Sequence, residues 1–184
     1  MNSKQLENFL KISSDVFYSR NLINNQYDYI SESMLDILGY SASEFKKLPV
    51  EQVFNMIHPE DLKTVKRFFN DFVNYKEEND KKFSIEYRIK HKKGHYVWVN
   101  ENISMIRDEN LRPSHMVGNL RNVSERKENE QEIQNQKSLI DAIFDNIAGS
   151  MWSVDNNYKF VRGNLQFKEE IKEGFNTEYK PGMN

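Results

Sequence analysis

The clearest pattern in the chain is an alternation. Phe83, Ile85, Tyr87 and Ile89 are separated by Ser84, Glu86, Arg88 and Lys90. A period of two predicts a strand with one face buried and the other wet. Lys92-Lys93-Gly94 supplies a turn, and residues 96–106 return as a long strand. Asp108-Glu109-Asn110 turns the chain again, and residues 115–123 form the last strand. Upstream, residues 16–23 are rich in β-branched and aromatic side chains, Asn24-Asn25-Gln26 is turn chemistry, and residues 27–30 read as a second strand. Together these predict a hairpin.

Helical spacing fills the remaining length. Leu6, Phe9 and Leu10 fit a short amphipathic helix at the start. Met34, Leu35, Ile37 and Leu38 crowd one face, Gly39 offers a stop, and Ser41 or Ser43 offers a cap with Glu44 near it. Residues 50–57 make another short helix. His58-Pro59-Glu60-Asp61 opens a longer one, since proline suits the first helical position and acids suit the first turn. Leu62, Val65, Phe68, Phe69, Phe72 and Val73 give it a buried stripe, and residues 76–82 form a charged loop. Short helices followed by three consecutive antiparallel strands predict an α+β domain.

From Ser124 the texture changes. Residues 125–137 are almost wholly polar, interrupted by Ile133. Ile133, Ile140 and Ile147 are spaced by sevens, with Ile143 and Phe144 between the last two, a sparse heptad seam. It reads either as a solvated linker helix or as a parallel dimeric coiled coil. Beyond it a layout repeats. Val16-Phe17-Tyr18-Ser19 parallels Met151-Trp152-Ser153-Val154, and residues 24–30 parallel residues 155–161. Repetition of one unit points to tandem domains. The boundaries are expected at 1–124 for a complete domain, 125–142 for a linker helix and 143–184 for the N-terminal part of a second domain. That part lacks a counterpart of the three-strand meander, so partial disorder is expected unless something covers it.

Composition narrows the function. The 184 residues carry a net charge of -2, which argues against a nucleic-acid binder. There is no cysteine, so disulfides, thiolate metal sites and cysteine nucleophiles are excluded, and a reducing, cytoplasmic setting fits. No apolar run approaches the ~20 residues of a membrane-spanning helix, and the first residues have no signal-peptide layout. No phosphate loop, nucleophile elbow or kinase signature occurs. No histidine follows Ser124, so a phosphoacceptor helix is not expected here. Glu60-Asp61 reads as a helix start rather than an acid/base pair. The chain is therefore not expected to be an enzyme in its own right, and any catalytic domain is expected outside it.

Several motifs, taken in order, resemble a known family. Tyr87-Arg88-Ile89-Lys90-His91-Lys92-Lys93-Gly94-His95-Tyr96-Val97-Trp98-Val99 resembles the central hairpin of PAS domains that carry a PAC motif. Ile57-His58-Pro59-Glu60-Asp61 resembles the segment before their long helix. Leu38-Gly39-Tyr40-Ser41, Val117-Gly118 and Asn122-Val123-Ser124-Glu125-Arg126-Lys127 fall in the family's order. The resemblance covers residues 4–127, and Phe144-Asp145-Asn146 with Trp152-Ser153-Val154-Asp155 resembles the start of a second such domain. Lys93 stands where the family often has Asp. Asn122-Val123-Ser124 stands where it usually has Asp-Ile-Thr, and Asn carries no charge to pair with a base, so weaker coupling is expected there.

The resemblance implies a five-stranded antiparallel sheet with helices on one side and a cavity between them. It implies a sensory region, as in sensor histidine kinases of two-component systems, that senses a small molecule or partner and signals along the following helix. The effector would be a histidine kinase, a cyclic-dinucleotide enzyme or a regulator. A ligand-free interaction or dimerisation domain and a fragment of a larger signalling enzyme, such as a cyclic-dinucleotide cyclase, are the alternatives.

Strand alternation nominates the pocket. Val99, Ile103 and Met105 share a face with Glu101 between them, Met116, Gly118 and Leu120 share another, and Tyr87 and Ile89 face them with Phe72 opposite. These line either a ligand cavity or an ordinary filled core. Glu101 on an apolar face would be costly unless paired or protonated. It either reads a ligand amine or hydroxyl, or sits near a strand bend and reaches water. Asn122, Ile133 and Ile140 are the candidate relay, with a homodimer through the helices as partner. His58 is expected to cap or pack at the helix start, and His91 and His95 to be exposed beside a turn. With His115 they lack the placement for heme or the spacing for zinc, and a photoactive flavin would need the absent cysteine. No cofactor is evident.

Overall fold

The computed structural model of the chain describes residues 5, 10, 12–75 and 83–182. Leu6 and Phe9 of the expected first helix, and the expected loop at 76–82, lie outside the described residues. The chain divides into two compact units, Met1–Lys127 and Glu128–Asn184.

In the first unit the elements are β1 (Val16–Asn21), β2 (Gln26–Ile30), α1 (Met34–Leu38), α2 (Ala42–Phe45), α3 (Val50–Asn55), α4 (Pro59–Val73), β3 (Phe83–Lys90), β4 (Tyr96–Arg107) and β5 (Pro113–Asn122). The five strands form one antiparallel sheet in the order β2-β1-β5-β4-β3. The first strand ends at Asn21, earlier than its apolar run suggests. The Asn21 side chain accepts hydrogen bonds from the backbone N–H groups of Ile23 and Asn24, which starts the turn early and leaves Ile23 exposed.

The short helices stop and start where their caps dictate. Gly39 ends α1 at φ 76°, a left-handed conformation that favours glycine. Ser41 and Glu44 form a reciprocal capping box at α2. His58 Nδ1 accepts from the Glu60 N–H, and Pro59 opens α4. Val65 and Phe72 of that helix are buried, and Leu62, Phe68 and Phe69 pack partly against the core. Val73, expected in the stripe, is 48% exposed at the last residue of the helix. Asp61 receives the Arg88 backbone N–H, Nε and one terminal nitrogen at 2.8–2.9 Å, so the start of α4 is fixed to β3. That contact holds Asp61 below its usual pKa.

The open edge of β3 is covered locally. His58 N–H donates to Arg88 O, and Lys90 N–H to Met56 O, which occupies groups an edge strand would otherwise expose. One face of the sheet and the four helices enclose the core around Val16, Leu38, Val65, Phe72, Ile89, Val99 and Ile103.

Helix α5 (Ser124–Asn146) follows β5 directly. Its 23 residues extend about 34 Å, with no buried side chain. Side-chain pairs one turn apart, Gln131–Asn135 and Glu132–Gln136, support it. The second unit then has β6 (Trp152–Val154), β7 (Phe160–Gly163) and α6 (Leu165–Phe175). Phe160, Phe167 and Tyr179 pack with Trp152 in an aromatic cluster. Asn164 is fully buried: its Oδ1 accepts from the N–H groups of Met151 and Phe167, and its Nδ2 donates to Gly149 O.

Candidate functional site

The alternation along β4 puts Val97, Val99, Glu101 and Ile103 on the core face. Glu101 is only 5% exposed, so the reading in which it reaches water at a strand bend is corrected. It lies where β4 pairs with both neighbours, opposite Leu120 on one side and Ile85 on the other. Two tyrosines satisfy it instead. The Tyr18 hydroxyl donates to Oε1 at 2.5 Å and the Tyr87 hydroxyl to Oε2 at 2.8 Å. Burial raises the Glu101 pKa, while the bonds from Tyr18 and Tyr87 and the charge of Arg20 pull it back. Burial and then the neighbouring carboxylate raise both tyrosine hydroxyls well above their ordinary value.

Tyr18 reaches Glu101 from β1 across the intervening strand β5. The position it crosses is Gly118, its register partner. A Cβ there would fall 2.8 Å from the Tyr18 hydroxyl oxygen and 2.7 Å from the Asn102 carbonyl oxygen. Gly118 therefore clears the path for the tyrosine; it does not line the main cavity.

That cavity lies between the sheet and α1–α4 and has a volume of about 50 Å³. By size it holds roughly three to five water-sized groups. Tyr87, Ile89, Glu101, Met116 and Leu120, all nominated from sequence, line it. Phe72, Val99 and Ile103 are buried but stand away from its wall. Phe72 stacks edge-on against Phe83 at 5.2 Å, and Phe83 pairs with Ile103, so aromatic rings fill that end of the core. Sequence reasoning missed Tyr18, Arg20 and Tyr27, which line the cavity from the first hairpin, together with Met34, Leu38, Phe45, Val53 and Phe54 from the helices. For Tyr18 and Arg20 the signal was present, since Val16, Tyr18 and Arg20 alternate with outward residues.

A wider cleft of about 610 Å³ adjoins this hairpin, lined by Asn24, Asn25, Gln26, Lys46, Lys47 and Glu51. Tyr27 and Val50 line both spaces.

The histidines sit elsewhere. His58 caps α4 and packs against Tyr96 at 4.6 Å. His91 is half-buried rather than exposed, because its ring stacks on His95 at 4.4 Å and lies against Gly39. His115 pairs with Asp28 at 3.2 Å. None of the four lines the cavity. Among the described residues no cluster of His, Asp or Glu could hold a metal ion, and no helix is long and apolar enough to cross a membrane.

The junction from sheet to α5 is tied by short-range bonds. Val123 N–H donates to Trp98 O, and Trp98 N–H donates to Ser124 Oγ at 3.0 Å. Asn122 accepts from the Ser124 N–H at 2.9 Å. The charge that Asn122 lacks enters through Glu86, which pairs with Arg126 at 2.5 Å and Lys127 at 2.8 Å. Lys127 also lies over the Trp98 ring. Along the helix Ile133 and Ile140 are exposed at 66% and 58%.

Comparison with known proteins gives one consistent picture. The PAS fold family matches residues 27–120. A region of the aryl hydrocarbon receptor nuclear translocator homolog of Drosophila melanogaster is 29% identical over 83 residues, 45% of this chain but 12% of that protein. The solved structure of a sensory box histidine kinase/response regulator from Burkholderia thailandensis is 22% identical, with a TM-score of 0.58, over 76% of this chain and 98% of that one. The N-terminal domain of a diguanylate cyclase with PAS/PAC sensor from Marinobacter aquaeolei is 23% identical, with a TM-score of 0.54, over 61% of this chain and 98% of that one.

Proposed function

The chain belongs to the PAS fold family, and from that premise we propose that it is a sensory input module for signal transduction. The cavity around Glu101 takes a small molecule, and its occupancy changes how the sheet packs. The change passes through Asn122 and the Glu86–Arg126–Lys127 contacts into α5. In a homodimer joined along Ile133 and Ile140, the register of that helix is the output. The effector is a histidine kinase domain of the parent protein, a reading supported by the kind of protein in which a similar fold occurs. The chain itself works as a switch, in the cytoplasm, and catalyses nothing.

The observation that carries this reading is a cavity furnished with a clamped carboxylate, in a sheet bonded directly to an exposed helix. Small volume and the aromatic filling near Phe83 favour a second reading, a ligand-free interaction domain. Native mass spectrometry of the full chain, with a denatured control, separates the two. The sensory reading expects a dimer and an added mass that vanishes on denaturation. A bare protein under all conditions favours the interaction domain, and a bare monomer also removes the helical relay.

A further inference from the structure

We propose that the cavity takes a short-chain monocarboxylate, of the size of acetate or propionate, with its carboxylate on Arg20 and its alkyl end among Leu38, Phe54, Met116 and Leu120. This rests on the sensory reading and names the ligand class.

Arg20 lines the cavity. One terminal nitrogen of its guanidinium donates to the Asn25 side chain, which holds the group in place. Its Nε is buried and has no hydrogen-bond partner. A guanidinium keeps its charge at every physiological pH and has no acceptor capacity. A buried, unpaired Nε–H therefore calls for an acceptor, and a carboxylate matches the guanidinium fork best.

Size and lining restrict the rest of the ligand. About 50 Å³ corresponds to roughly three to five small groups. That suits a two- or three-carbon acid and is too little for a nucleotide, flavin or heme. The walls named above are apolar, so a short alkyl end is accommodated and a second charge is not.

The approach favours an anion. The cleft that shares Tyr27 and Val50 with the cavity is lined by Lys46, whose ammonium donates to Asp28 O, and by Lys47 and Glu51. Basic groups beside a cavity raise the local concentration of anions. Glu101 does not reverse the preference. Both its oxygens are taken by tyrosine hydroxyls, and an ammonium ligand would have to approach Arg20. Glu101 tolerates a nearby anion by taking up a proton, which burial already favours. The titratable and charged groups at the cavity are Arg20, Tyr18, Tyr27, Tyr87 and Glu101, and among them Glu101 is the group that would take up that proton, so propionate affinity falls as pH rises.

The test is calorimetric titration of the full chain, freed of bound small molecules, with sodium propionate, 1-propanol and propylammonium chloride at matched ionic strength. Propionate is expected to bind at least tenfold more tightly than either analogue. Arg20→Gln should weaken propionate at least tenfold, and Arg20→Lys, which keeps the charge without the fork, by less. Met116→Trp, which fills the cavity, should abolish binding. Preference for propylammonium or propanol overturns the carboxylate assignment but leaves a sensing cavity standing. Propionate binding untouched by both Arg20 variants overturns the site. No binding of any probe, with a bare protein in the mass spectrum, removes the sensory reading too. Wild-type selectivity among the three probes decides the ligand class even if a variant fails to fold.

Discussion

In the first unit Ser31 follows β2, and its Oγ accepts a hydrogen bond from the Phe17 N–H while its own N–H donates to Phe17 O. In the second unit Asn164 follows β7, and its Oδ1 accepts from the Met151 N–H while its own N–H donates to Met151 O. A helix begins just beyond each clamp. The local device is the same; the surroundings are not. Val16, Tyr18 and Ile30 are at most 6% exposed, whereas Trp152, Val154 and Val161 are 53%, 36% and 55% exposed. In the first unit β5 pairs with β1 and brings β4 and β3 behind it. Among the described residues β6 pairs with β7 alone. A strand–turn–strand–helix start thus forms from local chemistry, but a cavity needs the distant meander. The Tyr18–Glu101 bond joins residues 83 positions apart.

The largest effect should come from breaking the core that only one unit has. Phe72→Ala should destabilise the first unit by about 3–5 kcal/mol. Trp152→Ala, at a half-exposed site, should cost the second unit no more than about 1.5 kcal/mol. The two tryptophans divide between the units, so urea melts read from Trp98 report the first, and far-ultraviolet dichroism completes the second. Equal losses would mean that the second unit is as fully packed as the first.

A smaller effect should come from the glycines that let aromatic rings pass. Gly118→Ala should cost about 1–3 kcal/mol, since the added methyl meets the Tyr18 hydroxyl and a backbone carbonyl that cannot yield. At Gly163 the added methyl meets the Phe167 ring, which is buried and held by Trp152, Phe160 and Tyr179, so the alanine variant should cost the second unit a similar amount. Urea midpoints of the two variants check both losses.

The smallest effect separates the buried acid from the surface ones. Because Glu101 holds its proton more tightly when folded, its contribution is complete below the ordinary glutamate value of 4.5 and is lost as pH rises through the raised value. Glu101→Gln should therefore gain stability over the parent as pH climbs above that point. Asp61, Glu60 and Glu86 are shifted down by Arg88 and by Lys127, so their contributions fade as pH falls, and they cancel in the difference. A flat difference between urea midpoints from pH 4 to 8 would contradict the raised value.

Much of this was legible in the sequence because strands and caps are local. The alternation from Phe83 to Lys90, the Gly39 stop, the Ser41–Glu44 box and the Pro59 start each act within a few residues and fell where expected. The pocket was legible only on β3, β4 and β5, whose face the alternation fixes. Its other wall comes from the first hairpin and the short helices, and which of those residues meet β4 depends on a strand order no periodicity reveals. The partners of Glu101 were hidden for the same reason: Tyr87 lies on β3 beside β4, but Tyr18 lies on β1, beyond β5. Val73 was placed in the stripe by its apolar spacing but is exposed at the last residue of α4.

Hydrogen exchange of the full chain, followed by mass spectrometry, tests the contrast between the two starts most directly. Amides of β1 and β2 should exchange orders of magnitude more slowly than those of β6 and β7, since the former open only with the whole five-stranded unit and the latter by local opening. Equal protection of the two hairpins would contradict the claim that the distant meander, and not the local clamp, builds the enclosed site.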